Sequence, residues 1–582
     1  MSETDGGAII ARVLKRHDVQ FLFTLCGGHI SPILVGAKAE GLRVIDVRDE
    51  VSAVFAADAT ARMSGVVGVA AVTAGPGVTN AVTAVKNAQM AQSPLILFGG
   101  ATATVLRGRG SLQDIDQLAI MRPITKWATS VKALASLEAT VERAFDVAVS
   151  GTPGPVFIEV PVDLLYKEEI VKEWYMKESG VENATGLGAK ALELYLRGHL
   201  YKQFHAPSLP VTGPLPEVRL PGRNTDDEIA NVASALAKAQ RPALVIGSQA
   251  LVNYRDPEPL ALAIESLGIP TFLGGTARGL LGHTSSIQFR HKRSAALKTA
   301  DLVIVAGFPF DFRLGYGRSI SSKATLVAAN LNRTDLKKNR RPEIAIQMHP
   351  GTFLEQLANA NSSEPTKWGP WFDTLREREV ARDAEIVSKA NPNSDLVDPL
   401  HFFQTLETKM DDDAVLVVDG GDFVATAAYI LRPRKPLCWL DPGVFGTLGV
   451  GGGFVVGAGL CRPKQETWLI YGDGSSAYSL AEMDTCVRHG LSPIAVIGTD
   501  GSWAQIAREQ GEILGDLVGT ELRRCDYHKV AEGYGAKGLL LDDPSKVEST
   551  IAEAKALAKA GHPVVLNVMI NSSDFRKGSI SM

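Results

Sequence analysis

YGDGSSAYSLAEMDTCVRHGLSPIAVIGTDGS, residues 471–502, is the stretch from which the fold of this chain can be predicted. The apolar run Thr467–Ile470 before it predicts a strand, and the Gly-Asp-Gly turn leads into a predicted helix. A second apolar run, Ile494–Ile497, predicts the next strand. Strand, helix and strand in this order are typical of a βαβ unit in an open parallel sheet. Ligands of such sheets bind at the carboxyl ends of the strands.

Acidic side chains follow both predicted strands at that edge. Two carboxylates, Asp473 and Asp500, are ligands that suit a hard divalent cation such as Mg²⁺, with phosphate oxygens completing its shell. Gly472 and Gly474 allow the backbone to approach a phosphate, and the helix that Ser475 opens favours an anion at its N-terminal amides. A Gly-Asp-Gly tripeptide by itself is more often only a turn, so the metal site depends on its context.

The length, net charge and cysteine content of the chain argue against several classes of protein. Its 582 residues predict about two to four domains rather than one core. A formal net charge of −4 gives no global basic field, which argues against nucleic acid or an anionic membrane as partner. The five cysteines are scattered without a C-x-x-C pair, which is typical of reduced thiols in the cytoplasm. With no signal-like start and no apolar run of about 18 residues, we expect no membrane segment.

The order of apolar and amphipathic stretches predicts three α/β domains, each a doubly wound parallel sheet. Two linkers are expected between them, the first with an amphipathic helix near Ala189–Phe204 and a proline-rich run, the second highly charged. The polar tail from Asn571 is predicted to be a frayed end, with a lid over the site as the alternative. The predicted segments are domain 1–165, linker 166–225, domain 226–365, linker 366–395 and domain 396–582.

The stretch 471–502 resembles the binding motif of thiamin diphosphate (thiamine pyrophosphate) enzymes, in which Gly-Asp-Gly precedes an Asn pair. The resemblance implies that the side chains of Asp473 and Asp500 and the carbonyl of Ser502 bind Mg²⁺. This chain has Asp500 where the family usually has Asn. The additional negative charge would either hold the metal more tightly or weaken binding of the diphosphate.

The same resemblance gives Glu50 a catalytic role. Alone, a Glu at the start of a helix is an ordinary partner of the helix dipole. The enzymes of this family carry a Glu between their second strand and an Ala-rich helix, which the segment EVSAVFAAD (residues 50–58) matches. A carboxyl in an apolar pocket has a raised pKa, so it would share a proton with the pyrimidine ring of the cofactor. The nucleophilic carbon itself belongs to the cofactor.

Further residues are implied to contact the cofactor. Leu448 would be the wedge that bends it, and the Gly446 carbonyl would accept from its amino group. This chain has Asp422 where the family often has Asn. The implied contacts are Glu50, Gly75, Asn80, Gly421, Asp422, Phe423, Gly446, Leu448, Gly472, Asp473, Gly474 and Ser475.

Two polar residues are candidates for contact with the substrate. His29 lies in GGHISP, a pattern that resembles the active-site loop of lyases of this family, where a His moves a proton on a substrate hydroxyl. A His beside two glycines is otherwise more often a structural hydrogen-bonding residue. Gln113 matches a Gln that reaches the reaction centre in the family.

The whole chain resembles the acetolactate synthase-like branch that includes the 2-hydroxyacyl-CoA lyases. Segments such as FAADATAR (55–62), AAVTAGPG (70–77) and DFRLGYGR (311–318) carry this likeness. It implies cleavage of a 2-hydroxyacyl-CoA to formyl-CoA and an aldehyde, and the reverse condensation, by a homodimer or homotetramer. A carboligase of the acetolactate synthase or benzaldehyde lyase type, acting without CoA, is the alternative. A cofactor-binding regulator without activity is a third possibility.

The central domain is expected to decide the substrate. In the family this domain binds a nucleotide, which would be FAD, ADP or the nucleotide part of CoA. Arg278, Arg313 and Arg318 follow predicted strands and would bind the phosphates of CoA by charge-assisted hydrogen bonds. A solvated basic surface is the competing interpretation.

Overall fold

Three six-stranded parallel sheets organise the described residues, which in this computed structural model are 5–181, 186–205, 207, 225–361, 365–571 and 573–577. The first of two compact units contains the first sheet, and the second unit contains the other two. Most inner strands are apolar along their whole length because helices cover both faces of each sheet. The predicted fold class is confirmed.

The first sheet has the order β2-β1-β3-β4-β6-β5. Its strands are β1 Phe21–Thr24, β2 Arg43–Asp46, β3 Gly68–Val72, β4 Leu95–Ala101, β5 Trp127–Ser130 and β6 Pro155–Pro161. The helices of this unit are α1 Gly6–Arg16, α2 Ser31–Ala39, α3 Glu50–Ser64, α4 Pro76–Asn80, α5 Val82–Ala91, α6 Gln117–Met121, α7 Leu137–Val149, α8 Glu168–Glu178 and α9 Leu187–Phe204. Helix α9 is the helix predicted in the first linker, and it packs against α8 around Val171, Tyr175 and Leu196. The proline-rich run from Ser208 onward lies outside the described residues.

The second sheet has the order β12-β11-β10-β7-β8-β9. Its strands are β7 Pro242–Ile246, β8 Thr271–Leu273, β9 Gln288–Phe289, β10 Leu302–Ala306, β11 Thr325–Ala329 and β12 Ile344–Ile346. Its helices are α10 Thr225–Lys238, α11 Glu258–Leu267, α12 Arg293–Thr299, α13 Pro350–Ala360 and α14 Gly369–Lys389. The predicted linker 366–395 therefore contains a 21-residue helix, α14, which buries Trp371 and Leu375 in the core of this sheet.

The third sheet has the order β14-β13-β15-β16-β18-β17. Its strands are β13 Val415–Val418, β14 Trp439–Leu440, β15 Thr467–Gly472, β16 Ile494–Thr499, β17 Lys537–Leu541 and β18 Val564–Met569. Its helices are α15 Pro399–Lys409, α16 Asp422–Ile430, α17 Val450–Cys461, α18 Asp473–Ser476, α19 Glu482–His489, α20 Ala504–Leu514, α21 Tyr527–Gly533 and α22 Val547–Lys559. The predicted βαβ unit is present, since β15 and β16 are parallel neighbours and Gly472 lies opposite Gly498.

The described part of the C-terminal tail, residues 573–577, packs on this unit. The ring of Phe575 meets that of Tyr429 edge-on at 5.7 Å, and the Arg382 guanidinium lies 5.5 Å from the Phe575 ring. The prediction of a frayed end is wrong for this segment, because its aromatic ring packs against side chains of α14 and α16. No helix among the described residues is long and apolar enough to cross a bilayer.

Candidate active site

Asp473 and Asp500 lie on adjacent loops at the carboxyl edge of the third sheet. Asp473 is 2% exposed, and its two carboxylate oxygens accept the N–H groups of Gly474 and Gly501, both at 2.8 Å. The Asp500 carboxylate accepts the N–H of Ser502 at 3.0 Å. Asp473 therefore ties its own loop to the loop that carries Asp500 and Ser502.

The electrostatics of this pair fit a divalent cation. Burial raises the pKa of Asp473, and burial together with the charge of Asp473 raises the pKa of Asp500 to about 7. Two buried carboxylates that repel each other are stabilised by a metal ion, which is the largest local charge in such a site. The donor set of two carboxylates and a nearby carbonyl suits Mg²⁺.

The loop before α16 has the geometry of an anion site. Gly421 has a φ of 119° and Gly446 a φ of 65°, and a Cβ built on either glycine meets open space. The N-terminal amides of α16 point to this edge of the sheet and favour an anion. Asp422, the first residue of α16, pairs with Arg508 at 2.6 Å, with both side chains largely buried. The ion pair offsets the charge that Asp422 would otherwise place beside a diphosphate.

Leu448 and Phe423 both pack on glycines of the sheet edge. A Cβ on Gly420 would lie 2.4 Å from Leu448 Cδ2, and one on Gly498 would lie 2.4 Å from the Phe423 ring. Phe423 is buried, so it packs in the core of this domain. The predicted wedge, Leu448, covers the backbone between β13 and α16.

Asp419 is a residue that sequence reasoning missed. Its carboxylate accepts the N–H groups of Gly449 at 3.0 Å and Gly451 at 2.7 Å, so it holds the loop that carries Leu448. Burial raises its pKa to about 7. The available signal was its position, since Asp419 ends the apolar run of β13 directly before the Gly420-Gly421 pair.

Glu50 lies at the carboxyl edge of the first sheet, in the first turn of α3. It is 7% exposed, and its Oε2 accepts a hydrogen bond from Asn80 Nδ2 at 3.1 Å. A Cβ on Gly77 would lie 3.3 Å from Glu50 Oε1, so the backbone after β3 approaches the carboxylate closely. Asn80, predicted to contact the cofactor, thus orients Glu50.

His29, Gln113 and Gly75 meet at the same edge. His29 Nδ1 lies 3.3 Å from Thr73 Oγ1, and burial lowers the pKa of His29, so the ring is neutral near pH 7. Gln113 has a φ of 64°. A Cβ built on Gly75 would lie 3.0 Å from the Cβ of Gln113, so the two residues are in close contact. The structure therefore brings Glu50, Asn80, Gly75, Gln113 and His29 together, with Thr73 as a contact that the sequence did not reveal.

A cationic cavity of about 790 Å³ lies within the second unit, between the second sheet and α16. Arg278 lines it, donating to the Ala428 carbonyl at 2.9 Å and covering the Trp439 ring at 4.5 Å. Six other basic residues line the same cavity: Arg290, Lys292, Arg293, Lys298, Arg382 and Arg432. Arg313 pairs instead with Asp311 at 2.6 Å, and Arg318 is exposed over the Tyr316 ring; neither lines the cavity.

The charges of this cavity repel one another. Burial, together with the charges of the neighbouring Arg278 and Arg432, lowers the pKa of Arg290 to about 10. The pKa values of Arg278 and Arg293 are lowered for the same first reason, burial. A polyanion such as a phosphate ester would relieve this repulsion through charge-assisted hydrogen bonds.

Comparison with protein families agrees with this arrangement of two sites and a central domain. Residues 4–120 match the model of the N-terminal TPP binding domain of thiamine pyrophosphate enzymes, and residues 419–568 match that of the C-terminal TPP binding domain. Residues 229–357 match the central domain of the same enzymes. The chain belongs to the thiamine pyrophosphate enzymes. The N-terminal TPP binding domain contains the cluster around Glu50, and the C-terminal one contains the cluster around Asp473 and Asp500.

Curated relatives cover almost the whole chain. The 2-hydroxyacyl-CoA lyase 2 of Danio rerio is 48% identical, over 100% of this chain and 94% of the relative. The 2-hydroxyacyl-CoA lyase 2 of Homo sapiens is 46% identical, over 99% and 92%. The acetolactate synthase large subunit IlvG of Mycobacterium tuberculosis is 32% identical, over 97% and 96%. The chain is thus more similar to these lyases than to this synthase.

Proposed function

We propose that this protein is a thiamin diphosphate- and Mg²⁺-dependent lyase that cleaves a 2-hydroxyacyl-CoA to formyl-CoA and an aldehyde one carbon shorter. It would also catalyse the reverse condensation. The observation that carries the proposal is identity of 45–48% to six proteins named 2-hydroxyacyl-CoA lyase 2, across almost the full length of each.

We assign the cofactor and metal to the loops described above. Asp473, Asp500 and the carbonyl of Ser502 would hold Mg²⁺, and the backbone amides around Gly421 and Gly474 would bind the diphosphate. Further contacts are proposed at Gly75, Asp422, Phe423, Gly446, Leu448, Gly472 and Ser475. When bound, thiamin diphosphate supplies the nucleophilic carbon and the electron sink for breaking the C1–C2 bond.

The remaining steps belong to side chains of this protein. Glu50, oriented by Asn80, would share a proton with the pyrimidine ring of the cofactor. His29 would accept the proton of the substrate 2-hydroxyl, for which a neutral ring is needed, and its lowered pKa supports that state. Gln113 would donate to an oxygen at the reaction centre. After the aldehyde has left, His29 would return this hydroxyl proton to C1, and formyl-CoA would then leave.

The cationic cavity is our candidate site for the phosphates of CoA. Arg278 and its six basic neighbours supply the charge, and Arg313 and Arg318 remain predictions for the same moiety. Helix α16 connects the two places, since it begins beside the proposed diphosphate site and ends at the cavity. Its nine residues span about 14 Å, which suits an elongated substrate whose phosphates lie far from its thioester. ADP or FAD in this cavity is the alternative.

We also propose that the protein is a homodimer or homotetramer in the cytoplasm, acting on a small molecule without nucleic acid or membrane as partner. The proposed assembly is the one that the family resemblance implies. The five cysteines form no disulfide, which supports a reducing compartment. A carboligase acting on 2-oxo acids or aldehydes without CoA is the second candidate function, supported by the 32% identity to acetolactate synthases.

The test is turnover of a 2-hydroxyacyl-CoA with thiamin diphosphate and Mg²⁺, with pyruvate as parallel substrate. We expect an aldehyde and formyl-CoA, and a loss of about 100-fold or more in Glu50→Gln, because proton transfer by such a carboxyl contributes about that much. Glu553→Gln, an exposed variant of the same type, is the control. Acetolactate from pyruvate without cleavage of the CoA ester would reject the lyase.

A further inference from the structure

Gln117 is a buried side chain at the first turn of α6 that nothing above assigns to the reaction. It is 2% exposed, and both its amide oxygen and its amide nitrogen form hydrogen bonds. Its Oε1 accepts the Gly75 N–H at 2.9 Å. Its Nε2 donates to the Gly100 carbonyl at 3.0 Å and to Glu159 Oε2 at 2.9 Å. A buried amide with every hydrogen bond satisfied holds its partners in one arrangement.

Glu159 sets the orientation of this amide. It lies on β6, is buried, and forms an ion pair with Arg107. An ionised carboxylate can only accept, so it must face the NH₂ group of Gln117. The Oε1 of Gln117 is thereby directed at the Gly75 N–H. Without the carboxylate, the amide loses one of the two acceptors that fix this orientation, and only the Gly100 carbonyl remains.

The two backbone groups that Gln117 binds belong to loops that carry the proposed site residues. Gly75 has a φ of 62° and packs against Gln113, and two positions later Gly77 approaches Glu50. Gly100 lies against His29, since a Cβ there would be 2.5 Å from His29 Cβ. One side chain therefore joins the loop beside Glu50 and Gln113 to the strand beside His29.

We propose that Gln117, oriented by Glu159, is a positioning residue for the reaction: it holds the Gly75 loop and the Gly100 backbone so that Glu50, Gln113 and His29 face one reacting centre. This inference rests on the proposed function. It does not give Gln117 contact with substrate or cofactor. Displacement of reacting groups by about 1 Å costs up to about 100-fold in rate, so small shifts of these loops matter.

The experiment measures loop protection and kinetics in the full chain. In Gln117→Leu, we expect hydrogen–deuterium exchange of peptides covering residues 73–80 to rise about tenfold without cofactor, since the Gly75 N–H loses its acceptor. We expect kcat to fall about 10- to 100-fold with KM changed less than about threefold. Glu159→Gln, which keeps the shape of the side chain, should show the same changes to a smaller degree and serves if Gln117→Leu does not fold.

Trp368→Phe is the control, because it also removes a buried hydrogen bond, the one from Trp368 Nε1 to the Ala239 carbonyl. It should lower thermal stability while leaving exchange at 73–80 and kcat unchanged. Unchanged exchange in both test variants, or faster exchange with unchanged kcat, would overturn the inference. If the wild type does not cleave a 2-hydroxyacyl-CoA, the proposed function fails, and the exchange data with turnover of pyruvate still decide the role of Gln117.

Discussion

At the scale of single residues, the most informative departure from the family pattern is Asp500, which stands where Asn is usual. Its carboxylate adds a second buried negative charge beside Asp473, and its pKa is raised to about 7. In the protein without metal this charge is a cost to folding, whereas in the proposed Mg²⁺ site it would be a ligand. The same residue should therefore lower the stability of the metal-free protein and strengthen metal binding.

The titration of Asp500 makes the stability of the metal-free protein depend on pH. Because the folded-state pKa of Asp500 lies above its unfolded value of about 3.9, stability is lost as pH rises from about 4 to about 7. We expect Asp500→Asn to stabilise the metal-free protein at pH 7 by on the order of 2 kcal/mol and to flatten its profile over that window. Urea unfolding in EDTA between pH 4.5 and 8 measures this effect.

The matched control is Asp395→Asn, an exposed carboxyl outside the site. Added Mg²⁺ should raise the stability of the wild type far more than that of Asp500→Asn. If the free energy of unfolding depends on pH in the same way for the wild type and Asp500→Asn, the Asp500 charge does not destabilise the metal-free protein.

At the scale of elements, α14 shows how a segment that looks like a linker becomes part of a site. Its charged residues predict solvent exposure, but one of them, Glu379, is buried. The Glu379 carboxylate accepts the N–H of Arg290 at 3.0 and 3.2 Å and that of His291 at 2.9 Å. The helix thereby positions the segment after β9, which lines the cationic cavity.

We expect Glu379→Ala to lower the free energy of unfolding by about 2 kcal/mol, because two backbone N–H groups lose their buried acceptor. It should also raise the KM for acyl-CoA several-fold, since Arg290 and Arg293 lose their positions. Urea unfolding and steady-state kinetics measure the two effects. Glu377→Ala, an exposed residue of the same helix, is the control. If Glu379→Ala leaves both quantities at the control values, the carboxylate does not position the cavity.

At the scale of the whole molecule, the proposed site needs residues from both TPP binding domains, and we propose that two chains of the dimer supply them. Mixing the inactive variants Glu50→Gln and Asp473→Asn by co-expression tests this. If each site combines Glu50 of one chain with Asp473 of another, mixed dimers hold one intact site, and about a quarter of wild-type activity should return. Each variant expressed alone is the control. Sites built within one chain would give no recovery.

The inner strands of all three sheets were predictable from the sequence, because burial on both faces leaves a continuous apolar run. β5, β9, β12, β14 and β17 are edge strands, and this pattern does not predict them. β9 and β14 have only two residues each, and β5, β12 and β17 are partly exposed, so none of them has a long, fully buried apolar run. Edge pairing is decided by neighbours elsewhere in the chain.

The sequence by itself determined the parallel α/β architecture, because local apolar patterns mark the strands. It also determined which residues end those strands, and therefore lie at the sheet edge where ligands bind. Thus Asp473 and Asp500 were predicted to be neighbours from their own strands. Only the tertiary structure decided which side chains meet across long separations, as in the pairing of Asp422 with Arg508, the bridge from Gln117 to Glu159, and the convergence of Arg290 and Arg432 on one cavity. Those contacts depend on how helices pack over the sheets, which no local pattern encodes.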